Sequence, residues 1–193
     1  MRRLELEDVS MDRLRKSTSQ DKGRRSDQAA GANMDLLIAE LTCNDVRKCR
    51  RARQALVSIG EKAVEPLINA LAHRKGWVRW EAAKALGQIK GQAATAALVH
   101  ALDDRNFDVR WLAAEGLISR GREGMIPLLQ ALIAGSDSAW LRDGAHHVFH
   151  DLSDEGLKKH VRPVLAALEE LDPAVEVPLA ARTALEALER ESA

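Results

Sequence analysis

Tyrosine is absent from the 193-residue chain, and the other aromatics amount to four Trp and two Phe. Sandwiches and barrels draw on aromatic and β-branched residues for their pleated faces, so this scarcity excludes most all-β folds. Cysteine occurs only at Cys43 and Cys49, without CxxC spacing. A disulfide framework is thereby excluded, and the two are read as reduced thiols. No apolar run approaches the roughly 20 residues of a membrane span, and no apolar stretch follows Arg2 and Arg3 as in a secretory leader. The expectation is no membrane and a cytoplasmic location. Glycine-rich phosphate loops, GxSxG elbows and HExxH pairs are also lacking, which leaves a nucleophile with nothing to activate it. A non-catalytic protein without a cofactor is expected.

What is abundant is Ala, at 31 residues, and Leu, at 26, two strong helix formers. The formal charge is zero, which argues against a nucleic-acid binder held by overall basicity. That zero hides a gradient. Residues 1–96 carry 19 basic and 12 acidic side chains, and residues 97–193 carry 10 and 17. Solvated helix faces account for such charges, although in an elongated molecule the polarity could also steer a partner or favour head-to-tail self-association. Residues 1–32, with the run Lys16 to Arg25 offering nothing apolar to pack, read as a disordered polar tail.

From residue 33 to 193 the sequence repeats, and the repeat decides the fold. Leu36 and Leu37 recur as Leu67 and Ile68, Leu98 and Val99, Leu128 and Leu129, then Val164 and Leu165. A second set runs in step: Val78, Ala82 and Leu86 return as Val109, Ala113 and Leu117, as Leu141, Ala145 and Phe149, and as Val177, Ala181 and Leu185. Gly60, Gly91 and Gly121 punctuate the units where a helix end favours positive φ. Each unit changes apolar phase once, so it predicts two helices and a polar turn. Pro66, Pro127 and Pro163 are placed in the first turns of the first helices. Five units follow, at about 33–60, 61–90, 91–121, 122–153 and 154–193. A lone pair cannot hide its stripe, whereas stacked pairs bury it. The expected fold is all-α, an α-solenoid of about five antiparallel helix pairs.

The segments Ala63-Val-Glu-Pro-Leu-Ile-Asn-Ala-Leu71 and Val78-Arg-Trp-Glu-Ala-Ala-Lys-Ala-Leu-Gly87 resemble the short HEAT repeat, also called the phycobilisome-lyase HEAT-like repeat. The likeness implies a solenoid whose second helices line a concave surface, and a family that ranges from scaffolds to bilin lyase subunits and the iron enzyme deoxyhypusine hydroxylase. That hydroxylase places His-Glu after the Arg of its second helices. Here the slots hold Trp80-Glu81, Trp111-Leu112 and Asp143-Gly144, so the resemblance does not extend to the di-iron activity.

Three sets of residues stand out. Trp80 and Trp111 share one slot, away from the core stripe, and would sit side by side on the groove as anchors for a protein partner, or fill space between units. Arg79, Arg110 and Arg142 share another, with Asp103, Asp104 and Asp137 nearby; a ladder of hydrogen bonds between units is one use and anion binding another. Finally, Asp143, His146, His147 and His150 stand at i, i+3, i+4 and i+7, on one flank of a helix. They suit structural bonds, acid–base work, or a metal held by His146, His147 and His150 with Asp151, Asp154 or His160. The favoured reading is an interaction scaffold whose partner meets Trp80, Trp111, Asp143, His147 and His150, drawn in by the basic first unit. The alternatives are accessory service to a modifying enzyme, bilin lyase-like, or metal binding through His146, His147 and His150, and after these a nucleic-acid binder using the basic first unit and the Trp side chains.

Overall fold

The computed structural model describes residues 31, 33–135, 137–170 and 173–191. The polar tail expected over 1–32 lies outside the described residues apart from Gly31. Helices follow one another throughout: α1 (33–41), α2 (Val46–Ile59), a 3-10 turn (Gly60–Ala63), α3 (Val64–Leu71), α4 (Gly76–Gln88), α5 (Gln92–Ala101), α6 (Phe107–Ile118), α7 (Arg122–Ala134), α8 (Ala139–His150), α9 (Glu155–Leu168) and α10 (Pro173–Arg190). No helix among the described residues is long and apolar enough to cross a membrane.

The repeated apolar positions make this a solenoid. Leu67, Leu98 and Leu128 of the first helices and Val78, Ala82, Leu86, Val109, Ala113, Leu117, Ala145 and Phe149 of the second are sealed from solvent in one continuous core. Each buried Leu, Val or Ile contributes roughly 1.5–3 kcal/mol. First helices α3, α5 and α7 pack side by side, and so do second helices α2, α4, α6 and α8. Turn chemistry sets the helix starts: Asp45, Asn106 and Ser138 accept hydrogen bonds from the first amides of α2, α6 and α8. Gly60, Gly91 and Gly121 take φ of 74°, 121° and 54°, the region open to glycine, where the chain turns from a second helix into the next first helix.

Three expectations are corrected. Leu36 is exposed, on α1, the first of the described helices. Pro127 and Pro163 fall inside α7 and α9 instead of in their first turns. Helix α7 winds on from Gly121 over the stretch that is a 3-10 turn before α3, and the longer spacing before the fifth unit goes into α9, of 14 residues against eight for α3.

The third correction concerns the fifth unit, whose apolar positions are buried but whose helices exchange rows. Helix α9 packs on α8, and α10 packs on α7. Arg122 at the start of α7 donates to the carbonyl of Leu188 near the end of α10, so these two run antiparallel, unlike the parallel first helices before them. The linker Asp151–Asp154 has no glycine and Asp154 is extended at φ −80°, ψ 106°, so the positive-φ turn that carries the chain into the first-helix row at Gly60, Gly91 and Gly121 is not made there. The chain folds α9 back beside α8 within the second-helix row, and the α9–α10 hairpin caps the described stack.

Candidate aromatic interface on the second-helix row

The N-terminal ends of the second helices form an edge fixed by bonds between successive turns. Lys75 Nζ donates to the Thr42 carbonyl at 3.2 Å, Arg105 Nη2 to the Arg74 carbonyl at 3.0 Å, and Ser138 to Asp103. Arg79 is deeper in this lattice. It grips both Asp104 oxygens, Nε to Oδ2 at 2.6 Å and Nη2 to Oδ1 at 2.9 Å, while Nη1 donates to the carbonyl of His73 at 2.9 Å. The hydrogen bond to Asp104 outweighs burial and raises the Arg79 pKa above the usual arginine range. Burial alone would raise Asp104, but the Arg79 hydrogen bond, the Asn106 amide and the charges of Arg79 and Arg105 hold it below the usual carboxylate range. Arg110 Nη1 donates to the Asp104 carbonyl at 2.9 Å, and Arg142 takes the same slot on α8.

On this edge four of the six aromatics gather. Trp77, Phe107, Trp111 and Trp140 leave 45%, 57%, 46% and 45% of their surface in solvent, against 1% for Phe149 in the core. Arg110 links two of them, its guanidinium 5.6 Å from the Phe107 ring centroid and 5.3 Å from that of Trp140. Trp111 lies 6.1 Å from Phe107 and 4.2 Å from the His147 ring. Phe107, Arg110, Trp111, Asp143, Gly144 and His147 line a cleft of about 120 Å³ between α6 and α8.

The residues singled out in the sequence divide among three places. Trp111, Asp143 and His147 share the cleft just described. Trp80 does not join them; it is half-buried against the core with Lys84 Nζ 4.4 Å from its ring centroid, and it lines a separate cavity of about 400 Å³ between α2 and α4 with Cys43, Asn44, Val46, Cys49, Trp77 and Glu81. The two tryptophans of equal register therefore do not make one platform: Trp80 opens on the cavity shared with α2 and Trp111 on the cleft shared with α8. His150 lies apart again, its Nδ1 2.7 Å from Asp151 and its ring stacked at 6.0 Å on His146.

The single histidine flank is thus divided. His146 Nε2 reaches Glu169, just past the end of α9, at 3.2 Å, whereas His147 Nε2 lies 3.3 Å from Asp151 and 3.5 Å from Glu115 at angles outside a hydrogen bond. Asp151 is held below the ordinary carboxylate range chiefly by the hydrogen bond to His150, against the opposing effect of burial and with help from the charges of His147 and His150. No group of three or more His, Cys, Asp or Glu that could hold a metal ion occurs among the described residues. His146 turns to Glu169 while His147 and His150 flank Asp151, so the three imidazoles do not converge on one centre. Glu81, the one residue matching the hydroxylase pattern, is buried in an ion pair, with Arg53 Nε 2.6 Å from its Oε2.

Sequence reasoning passed over Trp77, Phe107 and Trp140, which precede the apolar stripe by one or two positions. Their signal is positional: each falls just after a turn, on the first two residues of a second helix. Arg120 was also passed over. Its guanidinium donates to the carbonyls of Leu86 (2.7 Å), Gly87 (3.3 Å) and Ile89 (2.6 Å), closing the C-terminal end of α4 from the next unit.

The HEAT repeats family pattern matches residues 34–118 and again 64–149, more than half of the chain. The chain is a HEAT-repeat protein. Its fold neighbours include two crystal structures of engineered proteins from the Northeast Structural Genomics Consortium. One is 20% identical over 86% of this chain and 83% of the other, with a TM-score of 0.38; the second is 18% identical over 81% and 98%, with a TM-score of 0.34. No curated relative matches the chain. HEAT repeats form an interaction scaffold, and the edge described above is where this HEAT-repeat protein offers the most exposed aromatic surface.

Proposed function

We propose that this HEAT-repeat protein is a non-catalytic scaffold that binds a protein partner along the aromatic edge of α4, α6 and α8, centred on Trp111. The observation that carries the reading is the placement of the aromatics: in a chain so poor in them, four are kept half in water on one rigid edge. Exposed Trp and Phe are costly to leave uncovered and are the side chains that anchor interfaces. The cleft of Trp111, Asp143 and His147 has room for one aliphatic side chain, about four waters' worth of liquid volume. Arg110 beside it supplies donors for a carbonyl or carboxylate of the partner. Trp80 and His150, placed elsewhere, support the surface without forming its centre.

The test is affinity capture from extract of the native cell by the wild type and by Phe107→Ala/Trp111→Ala, with proteins identified by mass spectrometry. Both side chains are exposed, so helical content and melting should hold while a specific protein is lost by about 30-fold or more, the scale of a two-kilocalorie anchor. An identical set retained by both proteins ends this reading. End-to-end self-association is the other partner expectation; sedimentation of the full chain at rising concentration tests it, and a monomer throughout removes it.

A further inference from the structure

Cys43 and Cys49 sit at the opposite end of the second-helix row from the Trp111 cleft. Cys43 lies half-exposed on the turn between α1 and α2, and Cys49 lies buried one turn into α2. Their sulfurs are 3.7 Å apart. A disulfide needs about 2.05 Å, a closure that side-chain rotation supplies when two cysteines already face each other across a short loop. Both line the 400 Å³ cavity whose other walls include Val46, Trp77 and Trp80, so a small oxidant reaches them from solvent.

We propose that Cys43 and Cys49 are a reversible oxidation site, forming an intramolecular disulfide at the expense of a peroxide. The order of events follows from the surroundings. Cys49 Sγ points at the end of α1, 3.2 Å from the Cys43 carbonyl, 3.4 Å from that of Glu40 and 3.7 Å from that of Leu41. Burial first, then the contact with Cys43 and the charge of Glu81, pushes its pKa up to about 11. Cys49 therefore stays a thiol, and the more open Cys43 meets the oxidant first. The Cys43 sulfur attacks one peroxide oxygen, the O–O bond breaks, and the first water leaves, giving a sulfenic acid. The Cys49 sulfur then attacks the Cys43 sulfur and displaces the hydroxyl, which departs as the second water with the Cys49 proton. Two S–H bonds are lost, one S–S bond forms, and hydrogen peroxide is reduced to two waters. The bond withdraws the Cys49 donor from the α1 carbonyls and alters the cavity wall facing Trp77 and Trp80. In a reducing compartment it is transient, and so reports exposure to oxidant.

The test exposes the reduced, folded full chain to hydrogen peroxide and follows intact mass, a non-reducing peptide map and indole fluorescence. The expected result is a loss of about 2 Da, a Cys43–Cys49 cross-linked peptide and a fluorescence change, all reversed by dithiothreitol. Cys49→Ser should stop at a sulfenic acid on Cys43 that dimedone traps. Cys43→Ser, at an open turn position that keeps the buried Cys49 contacts, should lose the cross-linked product. A wild type that keeps its reduced mass, gains about 16 Da or more without the cross-link, or cross-links only between chains overturns the proposal.

Discussion

The junction between the second and third units and the junction before the last hairpin are built differently. At the first, charged groups are buried between elements, Arg79 on Asp104 and Arg120 on the carbonyls ending α4, and the backbones are close, an added Cβ at Gly116 coming within 3.1 Å of the Gly87 Cα. At the second, the charged contacts are open to water, as in His146 with Glu169 and Arg122 with Glu191. The difference separates polar groups that specify how one unit sits on the next from those that decorate a cap. Inside the stack a misplaced unit strands a buried charge, whereas at the end it loses only a solvated pair.

The largest effect should come from breaking the inner junction at its ion pair. Arg79→Met leaves Asp104 without its bidentate partner and should cost about 3–5 kcal/mol in equilibrium urea unfolding, the range for a buried pair deprived of one member. A loss under 1 kcal/mol would erase the distinction between the two junctions. The acid side of the same pair has a defined sign. Because folding holds Asp104 below its ordinary pKa, its contribution is complete above the unfolded carboxyl value of about 3.9 and drains away as pH falls through the folded value. Asp104→Asn should therefore be less stable than wild type at neutral pH, with the gap in melting temperature narrowing on acidification. A gap constant with pH would show that the charge of Asp104 is not what holds Arg79.

The next effect sharpens the comparison at a site with no carboxylate partner. Arg120→Met removes donors to the carbonyls of Leu86, Gly87 and Ile89 at the C-terminal end of α4, and should cost about 1–3 kcal/mol, although Leu86 keeps the Ile89 amide as a donor. The loss should show as faster amide exchange at the start of α5, where α4 hands over to the next unit, before the cap is affected.

The sequence makes the core of this architecture legible because burial recurs. Val78, Ala82 and Leu86 come back three times, and every recurrence except Leu185, which packs partly exposed, is sealed from water. The exchange of rows is not legible in the same pattern. Val177 and Ala181 look alike whether α10 leans on α8 or α7, since an apolar stripe says that a face is covered and not which helix covers it. The clue lay in a missing residue, the glycine that the Asp151–Asp154 linker lacks. The site was partly legible. Trp111, Asp143 and His147 come together because they occupy facing flanks of α6 and α8, but identical register placed Trp80 in a different cavity, where α2 and α4 meet. Periodicity finds equivalent positions, and neighbours differ from unit to unit.

The smallest expected effect tests the outer junction. Glu169 is exposed, and its contact with His146 is the kind of pair that contributes between zero and about 1 kcal/mol. Glu169→Gln should leave the urea midpoint almost unmoved and, unlike Asp104→Asn, should leave the pH dependence of melting as it was. A penalty as large as that of Arg79→Met would mean that the cap is fastened by this pair and not by the buried Val161, Val164, Val177 and Leu188. The contrast is sharpest when Val177→Ala is measured beside it. That residue is sealed from solvent on α10, the helix packed on α7, and truncation should cost several times more than removing the charge, because the cap is held by covered apolar surface.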